Sequence, residues 1–144
     1  MLEKMRALVT ERHKDQTDRA GKSYVLHLER VLAACTSESE EVLCAALGHD
    51  ILEDTETTPE ELLEMGFTQR TVDAILSVTK LPGESYEEYV KKVLDSEDGM
   101  CVKYADLSDN MRLERLPKIT EKDLTRWEKY ATLRGKIAVK MLGL

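Results

Sequence analysis

The sequence is poor in the features that mark cross-linked, membrane-spanning or nucleic-acid-coating proteins. Its three cysteines, Cys35, Cys44 and Cys101, are odd in number and contain no Cys-x-x-Cys spacing. That pattern argues against a disulfide framework or a zinc knuckle, and a reducing compartment fits. No apolar run is long enough to cross a bilayer, and the N-terminal M-L-E-K-M-R-A-L-V-T-E-R is a charged amphipathic helix rather than a signal peptide. An excess of basic residues is missing too. The formal charge is −7 and the pI is near 5.1, which argues against a general nucleic-acid binder. Repeats and low-complexity segments are absent. These absences leave a cytoplasmic chain without nucleic-acid or membrane partners, its oligomeric state open. At 144 residues, 42% of them apolar and 34% charged, it is one domain's worth and can bury a core unaided.

What is present favours helix throughout. Aromatics are only 5% of the chain, while Leu, Ala, Glu and Lys dominate. Met5, Leu8 and Val9 give a first apolar face, and Tyr24 to Cys35 a second through Leu28, Val31 and Leu32. Residues 40–54 are expected as one helix, strongly apolar in its first half. T-P-E-E-L-L-E-M-G signs a short helix, with Thr58 as N-cap, Pro59 first, Glu61 closing a capping box and Gly66 at the end. Thr68 opens the next, with Val72, Ile75 and Leu76 on one face, and L-P-G at 81–83 breaks it. Ser85 with Glu88 caps another. D-G at 98–99 predicts a turn, followed by a helix over 100–116 that Pro117 stops. Thr120 starts a last helix expected to turn Leu124, Trp127, Ala131, Ile137 and Met141 inward. Nothing alternates with period two, so the expected fold is all-α.

The stretch L-G-H-D-I-L-E-D-T, residues 47–55, sets ionisable groups directly after the apolar V-L-C-A-A-L. Such groups against a core are costly unless they are paired or bind a cation. On a continuous helix His49 would stack over Glu53 and Asp50 over Asp54. With ten aspartates and three histidines in the chain, one His-Asp arises by chance about one time in five. The Glu-Asp pair that follows makes chance far less attractive. Two further stretches supply partners: His27 among apolar residues in Y-V-L-H-L, and Asp106 after Val102 and Ala105 in V-K-Y-A-D-L-S-D-N. Two imidazoles and two carboxylates suit a divalent ion of intermediate hardness, Mn²⁺ or Fe²⁺, better than a thiolate-rich zinc site.

H-D-I-L-E-D-T, with Y-V-L-H upstream and V-K-Y-A-D-L-S-D-N downstream, resembles the HD-domain hydrolases of the RelA/SpoT type, most of all the small stand-alone alarmone hydrolases. The likeness spans about residues 8–116 of one HD domain over 1–144, with a C-terminal helix of about 121–142 packing on it. The resemblance implies a compact helical bundle in which His27, His49, Asp50 and Asp106 hold one divalent ion, typically manganese. It implies that Glu53 and Asp54 orient and activate the attacking water. Tyr24 and Asn110 match positions near the bound nucleotide, and Arg19, Lys22 and Lys103 are the nearest cations for its phosphates. The implied reaction removes pyrophosphate from the 3′ position of guanosine 3′,5′-bis(diphosphate), a small-molecule nucleotide. The alternatives are a phosphatase for another nucleotide or a phosphorylated dinucleotide, and a non-catalytic nucleotide-binding module.

The chain departs from the family at one informative place. An Arg-Lys pair usual before the first histidine is replaced by Asp18 and Arg19. Other motif-adjacent residues carry plainer readings. Asp109 and Arg112 are expected on an exposed stripe or in a surface ion pair, His13 in packing or a loop hydrogen bond, and Trp127 and Tyr130 in packing of the last helix. The cysteines are read as small core residues.

Overall fold

A computed structural model describes all residues 1–144 as helices joined by short loops, with no strand. The elements are α1 (Leu2–Arg12), α2 (Tyr24–Ala34), α3 (Glu40–Leu47), α4 (Ile51–Asp54), α5 (Pro59–Glu64), α6 (Gln69–Ser77), α7 (Tyr86–Leu94), α8 (Glu97–Asn110) and α9 (Glu121–Met141). A single turn of 3₁₀ helix, Leu113–Arg115, follows α8. No helix is long and apolar enough to cross a membrane.

α3 is the hub, and its sequence says why. Val42, Cys44, Ala45, Ala46 and Leu47 are all buried, so nearly every side of this short helix is apolar and needs cover. α1, α2, α6 and α8 supply it. Met5 and Val9, one turn apart on α1, and Leu28 and Val31 on α2 are likewise sealed from solvent. α9 lies outside, across α8 and α7. The buried apolar side chains form one contiguous cluster, and α2, α3 and α8 run through it side by side.

Several helix starts follow from the cap residues. Thr58, Thr68, Ser85 and Thr120 each accept a backbone N–H of the first turn, and Ser85–Glu88 closes a reciprocal capping box. Five expectations need correction. Glu61 closes no capping box with Thr58; its carboxylate accepts from Arg12 Nη2 at 2.6 Å instead. Residues 40–54 are not one helix: the Ala46 carbonyl, which would accept the Asp50 amide, accepts the His49 ring instead, at 2.8 Å, and the chain turns over 48–50 before α4. The D-G at 98–99 is no turn but lies in the first turn of α8, because Ser96 caps that helix through the Gly99 amide. The helix expected to reach Leu116 stops at Asn110. On α9 the inward residues are Leu133 and Ile137, while Leu124, Trp127 and Met141 are exposed. Leu133 and Ile137, four apart, share one face of α9, which packs on α8 and α7.

Two glycines give opposite expectations. A Cβ on Gly99 would lie 2.2 Å from Ser77 Oγ and 3.0 Å from Ser77 Cβ, whereas at Gly135, mid-α9, it would meet nothing within 4 Å. Gly99→Ala should therefore destabilise by about 1–3 kcal/mol, and Gly135→Ala should stabilise by about 0.5–1 kcal/mol. Urea unfolding of the two variants checks both signs.

Candidate metal centre and cleft

The turn at 48–50 aims two ionisable side chains inward. His49 is buried against the ends of α2 and α8, and Asp50 follows it at the start of α4. α2 contributes His27, buried on its inner face one turn after Tyr24. α8 contributes Asp106, also buried. The four side chains meet. His27 Nε2 lies 3.0 Å from Asp106 Oδ1, His49 Nε2 lies 3.1 Å from the same oxygen, and His49 Nε2 lies 3.0 Å from Asp50 Oδ2. The ligand atoms of His27, His49 and Asp50 all fall within 4.8 Å of one another.

The other ring nitrogens decide what this arrangement means. His49 Nδ1 faces the Ala46 carbonyl at 2.8 Å, and His27 Nδ1 faces Asp109 Oδ2 at 2.7 Å. Both acceptors demand an N–H, so both Nδ1 atoms carry protons. The Nε2 lone pairs then point at carboxylate oxygens, which repels unless a proton or a cation stands between them. Burial alone would lower both histidines, but for His27 the hydrogen bonds to Asp106 and Asp109, and for His49 the charges of Asp50 and Asp106, outweigh it and leave both raised. Asp106 is held well below the carboxylate range by Lys103 and His49 despite its burial. A buried group that keeps its acids ionised and calls for positive charge between two imidazoles fits a divalent cation.

Asp109 belongs beside this centre, a placement missed at the level of sequence. Far from lying on an exposed stripe, it is 6% exposed and accepts from His27 Nδ1, Arg30 Nε at 2.8 Å and Arg112 Nη1 at 3.2 Å. Carboxylate behind imidazole is the arrangement that orients a metal ligand. The signal was available, since Asp109 stands three residues from Asp106 on the same helix face.

The remaining candidates separate by position. Tyr24, Arg19 and Asn110 line a cleft of 290 Å³ that opens beside His27, together with Asp18, Arg115 and Tyr130. The Tyr24 hydroxyl donates to Asp50 Oδ2, and burial plus the Asp50 charge pushes this phenol far up, so it stays a donor. Asn110 Nδ2 donates to Asp106 Oδ1 at 3.1 Å. Arg19 pairs with Asp123 at 3.1 Å. Lys103 does not face the cleft: its ammonium sits 3.0 Å from Asp106 Oδ2 and over the Tyr89 ring. Lys22 is exposed and off the cleft wall; only its backbone is engaged, its amide donating to Asp18 Oδ1 and its carbonyl accepting from the Asp18 amide. Arg115 and Arg126, with Tyr130, extend the wall beyond Arg19. Arg126 and Tyr130 stand four apart on α9, a spacing that could have flagged them. Asp18 accepts the Ala20 and Lys22 amides at 2.9 and 3.0 Å and lies 3.6 Å from Arg115 and 3.7 Å from Arg30. It therefore folds its loop and offsets two cations.

Glu53 and Asp54 diverge as well. Although the chain turns over 48–50, the Asp54 amide still donates to the Asp50 carbonyl at 2.9 Å, so Asp54 stays one helical turn from Asp50. Glu53 accepts the Lys80 amide at 2.7 Å, tying α4 to the loop after α6. The Asp54 carboxylate makes no bond within the chain, while its carbonyl is held by Gln16. Gln16 in turn is fixed by the buried His13 at 2.8 Å.

Comparisons with known proteins agree with this geometry. No protein-family profile matches the chain. The chain is 32% identical to the guanosine-3′,5′-bis(diphosphate) 3′-pyrophosphohydrolase of Aquifex aeolicus, over 90% of this chain and 20% of that protein. A probable enzyme of the same name from Mycoplasma genitalium is 27% identical, over 88% of this chain and 21% of that protein. The chain thus spans about a fifth of the length of these relatives. Among solved structures, a metazoan ortholog of SpoT, described as hydrolysing ppGpp with a role in starvation responses, superposes with a TM-score of 0.80. That match covers 94% of this chain and 84% of the other at 22% identity. The chain carries the SpoT-type HD fold.

The electrostatics at α4 give a testable sign. Burial, then the charges of Asp50 and Glu53, raise Asp54 from 3.8 to about 6. A raised carboxyl favours the folded state while protonated, so its contribution is present at low pH and is lost as pH rises from about 4 to about 6. In chelator-treated protein Asp54→Asn should therefore melt a few degrees above the parent at pH 7–8, with the gain vanishing near pH 4. Thermal melts across this range check the sign.

Proposed function

We propose that the chain is a divalent-metal-dependent nucleotide pyrophosphohydrolase that removes the 3′-pyrophosphate of guanosine 3′,5′-bis(diphosphate), leaving GDP. The observation that supports this reading above all is the convergence of His27, His49, Asp50 and Asp106, with both Nδ1 atoms committed elsewhere. The activity for which the relatives are named suggests the substrate. These four residues would hold the ion, with Mn²⁺ favoured by the mixed nitrogen and oxygen donors. When bound, such an ion polarises a phosphoryl oxygen and makes water more acidic.

The chain's own residues do the rest. Asp109 and the Ala46 carbonyl hold the two imidazoles in the tautomer that presents Nε2. Tyr24 keeps Asp50 turned inward by hydrogen bonding. Asp54, unpaired and raised toward neutrality, is the proton acceptor for the attacking water, a contribution of about 10²–10⁴ in rate. Glu53, pinned by the Lys80 amide, fixes the segment that carries Asp54. Along the cleft, Arg19, Arg115 and Arg126 present guanidinium groups suited to phosphate oxygens, and Tyr130 and Asn110 form the wall a nucleoside would lie against. Asp18, where the family is basic, offsets part of that positive charge. A phosphorylated dinucleotide is the second reading, favoured by this one substitution.

A panel of guanosine alarmones, ordinary nucleotides and phosphorylated dinucleotides, incubated with Mn²⁺, tests the assignment. Pyrophosphate release from the 3′-pyrophosphorylated guanosine nucleotides, abolished by chelation, is expected. Asp54→Asn should lower kcat by about 10²–10⁴ with metal content unchanged, and Glu53→Gln should cost less. Turnover of other nucleotides alone would reject the substrate. Loss of metal from Asp54→Asn would reject its role as base.

A further inference from the structure

Away from the ion-binding group, the fold brings together one pair of chemically reactive side chains. Cys35 caps the end of α2, and Cys101 lies in the second turn of α8. Their sulfurs are 3.9 Å apart, with both thiols free. Both are partly exposed, unlike the third cysteine, Cys44. A disulfide brings sulfurs to about 2.05 Å, so closure needs about 2 Å of approach. One partner has room to give it. Cys35 is already in extended conformation, and the next helix begins only at Glu40.

Access differs between the two. Cys101 lines an open groove of 420 Å³ with Ser37, Asp98 and Lys140. Burial pushes the Cys35 thiol up to about 11, which makes it a slow first nucleophile. We propose that Cys35 and Cys101 form an oxidative modification site, which closes to an intramolecular α2–α8 disulfide on reaction with a low-molecular-weight disulfide.

The steps balance. The Cys101 thiolate attacks one sulfur of the reagent, whose S–S bond breaks and releases half of it as a thiolate. Cys35 then gives up its proton and attacks the Cys101 sulfur of the mixed disulfide, expelling the second half. Two protein thiols are oxidised, one reagent disulfide is reduced to two thiols, and the cysteine protons end on the released thiolates. Cys35 lies eight residues beyond His27 and Cys101 five before Asp106. The cross-link would thus fix the spacing of the two helices that carry these residues without touching either. It closes a loop of 66 residues, long enough to restrict the unfolded chain strongly.

Glutathione disulfide and the metal-loaded protein provide the test. The expected intact mass falls by two hydrogens, iodoacetamide added after denaturation labels only Cys44, and the melting temperature rises by roughly 10 °C. Dithiothreitol should reverse all three. Cys35→Ser should stop as a stable glutathione adduct on Cys101, and Cys101→Ser should take up none at Cys35. Three labelled cysteines in the treated parent, a persistent adduct on its Cys101, or a bond between two chains would overturn the proposal. Uptake at Cys35 in the Cys101→Ser protein would overturn the order of attack.

Discussion

A single carboxylate oxygen, Oδ1 of Asp106, sits between the Nε2 atoms of two buried imidazoles. Neither ring can turn away, because each Nδ1 is bound to an acceptor that is itself fixed: the Ala46 carbonyl within α3 and the Asp109 carboxylate one turn along α8. In a low-dielectric interior, lone pairs facing an anion are tolerated only with positive charge between them. The rest of the centre follows from this constraint. Lys103 and Asn110 donate to Asp106, Tyr24 donates to Asp50, and Arg30 and Arg112 balance Asp109. Around two histidines the fold has built a ring of groups that calls for positive charge at its centre, which a divalent cation would supply.

The packing that holds this ring is helical and local. α3 must be covered on nearly every side, which draws α2 and α8 against it and brings His27 and Asp106 to the turn that carries His49 and Asp50. Breaking the helix at 48–50 sacrifices regular hydrogen bonding but turns one imidazole into the interior. Beyond the break, the single turn of α4 carries Glu53 and Asp54 as neighbours in sequence. The two acids have different surroundings, one bound to the Lys80 amide and the other free with a raised carboxyl. The chain's net charge is negative, yet its cleft is walled by three arginines, each facing an aspartate. Asp18 contributes to that balance by facing both Arg115 and Arg30.

Much of this was legible in the residues. All-α character followed from composition and from caps such as Ser85–Glu88 and Thr120, and the three motif stretches do converge. Less was legible where tertiary contacts override a local rule. The interruption after Leu47 depends on a ring nitrogen competing for a backbone carbonyl, which no periodicity reveals. Lys103 looked available for phosphate because sequence does not show that Asp106 claims it one turn later. Asp109 looked like surface because its burial depends on where α2 lies. Leu124 and Trp127 looked like core because α9 is amphipathic along its length but is covered only in part.

The central claim is that these helices grip one divalent cation through two imidazole nitrogens and two aspartates. Pulsed electron paramagnetic resonance of the protein titrated with Mn²⁺ tests it most directly. One bound ion per chain is predicted, with couplings from two histidine nitrogens, one of them lost in His27→Ala. A bound ion without nitrogen couplings, or no stoichiometric binding at neutral pH, would contradict the account.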